Sequence, residues 1–145
     1  MTTNAQEVPV LELIPSDEET QIRAAVRGIC ESLGKDFQKK QWEKGEGLGE
    51  LYEALGEKGY LALNVGEEWG GGGMGMSGLA IVMDEAAKSG NAPLLMIVSA
   101  GMAGPMIERH GTQEQKDRWL PGIVSGEGRF HFEMSSLAPL NLASP

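Results

Sequence analysis

Residues 15–34 read PSDEETQIRAAVRGICESLG, an amphipathic helix whose start and stop are both written into the chain. Ser16 is placed to cap the helix, and Glu19 stands three residues on in capping-box spacing. The acids Asp17, Glu18 and Glu19 suit the positive end of the helix dipole. Ile22, Val26, Ile29, Cys30 and Leu33 then share one helical face, while Arg23, Arg27 and Glu31 fall elsewhere. Gly34 supplies the stop. A helix apolar on one side must bury that side against something, so the question passes to the rest of the chain.

The flanking sequence answers in the same period. After a charged stretch containing Trp42, a second helix is expected from about residue 47 to 58, with Leu48, Leu51, Tyr52 and Leu55 as its stripe and Gly59 as breaker. Residues 60–65 form a short apolar linker, and residues 70–73 form a run of glycines. From residue 75 to 89, Leu79, Val82, Met83 and Ala86 repeat at helical spacing. Pro93 opens a very apolar segment to Ile107, which Pro105 should kink or divide. Thr112 and Gln115 have capping-box spacing, and Trp119, Leu120 and Ile123 carry a last helix. Residues 129–134 alternate weakly, like a first strand. The expectation is an all-α bundle of about five or six helices with a short strand-like tail. Its divisions are an arm (1–15), a helical domain (16–128) and a divergent tail (129–145).

Composition narrows the classes of function. A chain of 145 residues suffices for one domain with a sizeable core. A formal net charge of -9 argues against a nucleic-acid or anionic-membrane partner. The single cysteine, Cys30, forbids an internal disulfide and a cysteine-based zinc site, and at an apolar helix position it reads as a small core residue. No secretory signal is visible and no apolar run reaches membrane-spanning length, so a cytoplasmic protein without membrane insertion is expected.

Self-sufficient chemistry is not evident. Gly70, Gly72 and Gly75 spell G-x-G-x-x-G, but no strand precedes them and no acid follows at the distance a ribose would need. An inter-helix turn permitting close backbone approach is the better reading. His110 sits at a helix end and His131 alternates with Phe130 and Phe132, with nothing nearby to complete a catalytic set. Asp84 and Glu85 are adjacent in a helix and read as solvated charge. The eight methionines read mainly as core. No catalytic residue and no metal ligand is assigned.

Two blocks nevertheless carry a resemblance. Residues 55–65 (LGEKGYLALNV) with residues 67–75 (EEWGGGGMG), and residues 104–116 (GPMIERHGTQEQK) with 119–122 (WLPG) and 125–127 (SGE), resemble the N-terminal helical domain of the acyl-CoA dehydrogenases in order and spacing. The similarity runs over roughly residues 16–134. It implies an FAD-dependent enzyme that removes hydrogen across the alpha and beta carbons of an acyl-CoA thioester, with a carboxylate base that no residue here matches. It further implies that the helix after Pro93 lines the acyl pocket, which nominates Leu94, Ile97, Val98 and Gly101 for substrate binding. Ordinary core packing is an equally open reading of those four. In the family, a Phe-Ala-x-Thr-Glu-Pro-like segment contacts the flavin. Here it is matched by residues 132–137 (FEMSSL), nominating Phe132, Met134 and Ser135, with Ser135 able to replace the Thr hydroxyl and the Glu-Pro pair lost. Association as a homo-oligomer, or with a larger dehydrogenase subunit, is implied too. Two other classes stay open: a non-catalytic partner of a full-length dehydrogenase, and a truncated gene product.

Overall fold

The computed structural model describes residues 15–130, and every regular element among them is helical. The order is α1 (Asp17–Leu33), α2 (Phe37–Glu43), α3 (Gly49–Glu57), a 3-10 turn (Glu67–Trp69) and α4 (Gly75–Lys88). A continuous rod follows, made of α5 (Leu94–Met96), a π-helical stretch (Ile97–Ala103) and α6 (Gly104–His110), and α7 (Gln113–Ser125) closes the bundle. With the rod taken as one helix there are six, as expected. Residues 1–14 of the arm and 131–145 of the tail, with Phe132, Met134 and Ser135, lie outside the described residues. Arg129 and Phe130 belong to no helix or strand.

The caps explain where helices begin. The Ser16 hydroxyl accepts from the Glu19 N–H at 3.1 Å. The expected capping box is only half made, because the Glu19 carboxylate accepts instead from Arg23, one turn on. At Thr112 the box is complete: its Oγ1 accepts from Gln115 N–H, and Gln115 Oε1 accepts from Thr112 N–H. The charged stretch around Trp42 proves to be helix α2, anchored by buried Phe37.

α1 packs along α4, α3 packs on α1 and α7, and the rod lies against α4 and α7. Val26, Leu51, Leu55, Val82, Ala86, Leu120 and Ile123 meet in the core without solvent exposure. The 60–65 linker is more than a connection, since Leu61, Ala62, Leu63 and Val65 are buried in that same core. An irregular segment can be buried only if its polar backbone is paired. Here the glycine run pairs it: Gly72 N–H donates to Ala62 O, Gly73 N–H to Val65 O and Met74 N–H to Leu63 O, at 3.2, 2.8 and 2.8 Å. The approach is so close that a Cβ at Gly71 would collide with the Val65 carbonyl.

Candidate functional site

The rod is the element whose backbone departs from routine. Pro105 has no N–H, and its ring would clash with the carbonyl four residues back in an α-helix. The expected kink or division takes the form of a change in helical register, with backbone at both joints in the right-handed region. In the π stretch hydrogen bonds run five residues rather than four, and Gly104 N–H accordingly donates to Ser99 O.

One side of this rod is bare and apolar. Leu94 is 68% exposed, Ile97 39%, Met102 45% and Met106 54%. Along α6 and onto α7 the surface continues over Ile107, His110, Trp119 and Phe130, where the Trp119 and Phe130 rings meet edge to face at 5.6 Å. Arg118 stacks its guanidinium over Trp119, 4.5 Å from the ring centroid. The other side of the rod is core: Met96, Ser99, Ala100 and Ala103 are buried.

The four residues nominated for substrate do not all lie together. Leu94 and Ile97 stand on the bare side and Val98 is half-buried. Gly101 is turned toward Leu79 of α4, where a Cβ would sit 3.0 Å from the Leu79 Cδ2. The bare side includes two residues that sequence reading missed, Met102 and Met106. Methionine spacing on an amphipathic helix does not distinguish a core face from an outward one, and the expectation that methionines pack the core holds for Met96 but not for Met76, Met102 and Met106.

The glycine run, in contrast, has nothing to offer a phosphate. Gly70, Gly71, Gly72, Gly73 and Met74 all spend their N–H groups on carbonyls of residues 62–67. Its role is the close backbone packing expected of it. His110 is exposed in the last turn of α6, where a basic side chain suits the helix end.

The strongest electrostatics lie elsewhere, between α1 and α4. Glu85 is 2% exposed and does not behave as solvated charge. Its Oε1 accepts from Arg27 Nε and Nη2 at 2.7 Å, and Arg23 Nη1 lies 3.6 Å from its Oε2. Exposed Asp84 accepts from Arg23 at 2.5 Å and Lys88 at 2.7 Å. The adjacent acids thus serve the same pair of helices, an outcome hidden from spacing within α4. Lys88 and Arg23 hold the Asp84 carboxyl below its ordinary range, and Glu19 and Asp84 push Arg23 up. Because Asp84 is depressed, its contribution to stability is present at neutral pH and is lost as pH falls through its folded value. Asp84→Asn is therefore expected to flatten the dependence of melting temperature on pH below about pH 4, measured by thermal unfolding across a pH series. An unchanged slope would remove Asp84 from the interaction. Beneath this network Cys30 is buried, and its thiol is pushed up by desolvation, with Ser89 and Asn91 pulling the other way. Among the described residues no three His, Cys, Asp or Glu converge as a metal site, and no helix is long and apolar enough to cross a membrane.

With this geometry in place, known proteins resolve the chain's ancestry. The family model for the acyl-CoA dehydrogenase, N-terminal domain, matches residues 16–127. The acyl-CoA dehydrogenase FadE12 of Mycobacterium tuberculosis (strain H37Rv) is 42% identical over 113 residues, covering 78% of this chain and 29% of that protein. The mitochondrial long-chain specific acyl-CoA dehydrogenase of Rattus norvegicus is 32% identical over 104 residues, covering 67% and 24%. Among solved structures, the ChsE4-ChsE5 complex from Mycobacterium tuberculosis superposes with a TM-score of 0.63 at 30% identity, covering 81% of this chain and 30% of the other. The Tcur3481-Tcur3483 steroid ACAD gives 0.66 at 28%, covering 82% and 32%. The chain spans less than a third of the length of each of these relatives. By its helical architecture and by a match that runs from the Ser16 cap to Glu127, the chain belongs to the acyl-CoA dehydrogenase family, as an N-terminal domain.

Proposed function

We propose that this domain forms one wall of the acyl and flavin cleft of an FAD-dependent acyl-CoA dehydrogenase, and that it does not turn over substrate by itself. The observation that carries the reading is the bare apolar side of the rod, with Leu94, Ile97, Met102 and Met106 exposed in sequence along it. Soluble proteins rarely leave contiguous apolar surface uncovered without a use for it. A fatty acyl chain gains about 0.8 kcal/mol for each methylene it buries, which is what a stripe of leucine, isoleucine and methionine side chains offers. Leu94, Ile97 and Val98 are the acyl-side residues on this reading, and Gly101 keeps the rod close to α4 behind them. The same uncovered surface favours association as a homo-oligomer or with a larger dehydrogenase subunit.

The described residues do not by themselves fit the flavin. The glycine amides are consumed, and no buried cationic or amide cluster faces the bare side to meet a pyrophosphate. By resemblance to the family's flavin-contacting segment, the flavin-side role is assigned to Phe132, Met134 and Ser135, with the Ser135 hydroxyl replacing that of the family's threonine.

Photolabelling tests the wall directly, because it captures weak binding. Irradiating the chain with an acyl-CoA that carries a diazirine at the end of its acyl chain is expected to place label within residues 94–106. Label concentrated around Trp42 and Gly90, or scattered over all helices, would sink the proposal.

A further inference from the structure

The register of the rod leaves one carbonyl without a backbone partner. Gly104 N–H is spent on Ser99 O, and the next amide, which a π ladder would direct to Ala100 O, belongs to Pro105 and does not exist. Ala100 is fully buried, so water cannot serve instead. What reaches it is a side chain from the linker: Asn64 Nδ2 donates to Ala100 O at 2.8 Å across a separation of 36 residues. Asn64 is itself 8% exposed, and the same nitrogen lies 3.8 Å from the Met76 sulfur. Its Oδ1 is buried without a partner among the described residues. A buried amide left half satisfied carries a cost, and the donor end is what the rod requires.

We infer that Asn64 is a positioning residue that stands in for the missing Pro105 amide and so secures the π register that Pro105 imposes, which fixes which of the rod's side chains face outward. A π turn holds more residues than the 3.6 of an α turn, so residues before it are rotated about the axis relative to those after it. Restoring α register would swing Met96 and Ile97 around while α6 stayed on α7. That the outward side chains meet an acyl chain rests on the proposed function, whereas the control of register does not.

The test is a double-mutant cycle read by methionine footprinting. Asn64→Leu keeps the size of the side chain and removes the donor. It is expected to lower the melting temperature by about 5–10 °C, since a buried acceptor loses its partner. Pro105→Ala supplies a backbone N–H that reaches Ala100 O in π register and frees Gly104 to do so in α register. In that background Asn64→Leu should cost less than half as much. Peroxide oxidation mapped by mass spectrometry then reads the register in the variants. In the parent Met76, Met102 and Met106 should oxidise fast and Met96 slowly, following their exposure. In the double variant, where the Pro105 ring no longer bars α register and Asn64 no longer holds Ala100 O, Met96 should gain several-fold in rate relative to Met102, a selective change that uniform loosening would not produce. If Asn64→Leu fails to fold alone, recovery of folding in the double variant supports the inference and failure of both overturns it. Additive effects of the two substitutions, or an unaltered ratio of Met96 to Met102 oxidation in the double variant, also overturn it. Failure of the photolabelling with a positive cycle would remove the acyl wall and leave the Asn64 clamp standing.

Discussion

Purified and supplied with FAD, the chain is expected to show no stoichiometric flavin spectrum and no acceptor reduction with short, medium or long acyl-CoAs. Dehydrogenation needs a base, a thioester and a hydride acceptor held in near-attack geometry. The described carboxylates that are not fully exposed are Glu19, Glu85 and Glu108. Glu19 accepts from Arg23, Glu85 from Arg27, and Glu108 accepts from the Gly66 N–H at 2.7 Å. Each would have to break a charge-assisted bond before taking a proton from carbon. Absence of a positioned base costs on the order of 100- to 10,000-fold in rate, and absence of cofactor positioning costs more. Yellow protein with turnover, free of co-purified relatives, would overturn this reading. Turnover appearing only on addition of a full-length dehydrogenase would favour the partner-subunit alternative.

The second large effect is expected at Gly71. A methyl group there would meet the Val65 carbonyl carbon at 2.6 Å and the Ala62 oxygen at 2.8 Å, both backbone atoms locked by the glycine-run hydrogen bonds. A flexible side chain could yield, but this backbone cannot move without unpairing Leu61–Val65 from the core. Gly71→Ala is therefore expected to destabilise by about 3 kcal/mol, at the upper end of overpacking costs. That corresponds to a fall in melting temperature of roughly 10 °C. Gly28→Ala is the matched control, because its Cβ would enter open space on α1. It should stabilise by about 0.5–1 kcal/mol through helix propensity and loss of unfolded-state freedom. Equal melting temperatures for the two variants would refute the close-packing account of the glycine run.

How much of this was legible from the chain depends on the range of each interaction. The starts of α1 and α7 were readable because Ser16 and Thr112 bond amides only three residues away. α2 escaped because Asp36 makes no side-chain cap and only Phe37 is buried, leaving neither a capping nor a periodic signal. Glu85 was misread because its partner is 58 residues distant, and its burial belongs to the α1–α4 seam rather than to α4. The rod was expected at the right place and its interruption at the right proline. Its π form was invisible, since the carbonyl that Pro105 strands is met by an amide from residue 64. Of the four residues nominated by resemblance, Gly101 turns to Leu79 instead of the bare side, which the position of each in the sequence did not show. The acyl cleft was an expectation of the family resemblance alone, and core packing stood beside it as an equal reading of those four residues.

The end of α7 sets the direction in which the polypeptide departs. Gly126, in a left-handed conformation, and Gly128 both return their amides to Gly122 O, at 3.1 and 2.8 Å. The backbones of Gly122 and Gly128 come close enough that a Cβ on Gly128 would sit 3.0 Å from the Gly122 carbonyl carbon. The chain therefore doubles back beside its last helix, pinned by Arg129 on Glu53 and by Phe130 on Trp119. Phe130 therefore lies alongside Met106 and Trp119 rather than beyond the tip of α7. Three glycines, Gly122, Gly126 and Gly128, thus work as a steering joint that folds Arg129 and Phe130 back onto the flank of the bundle.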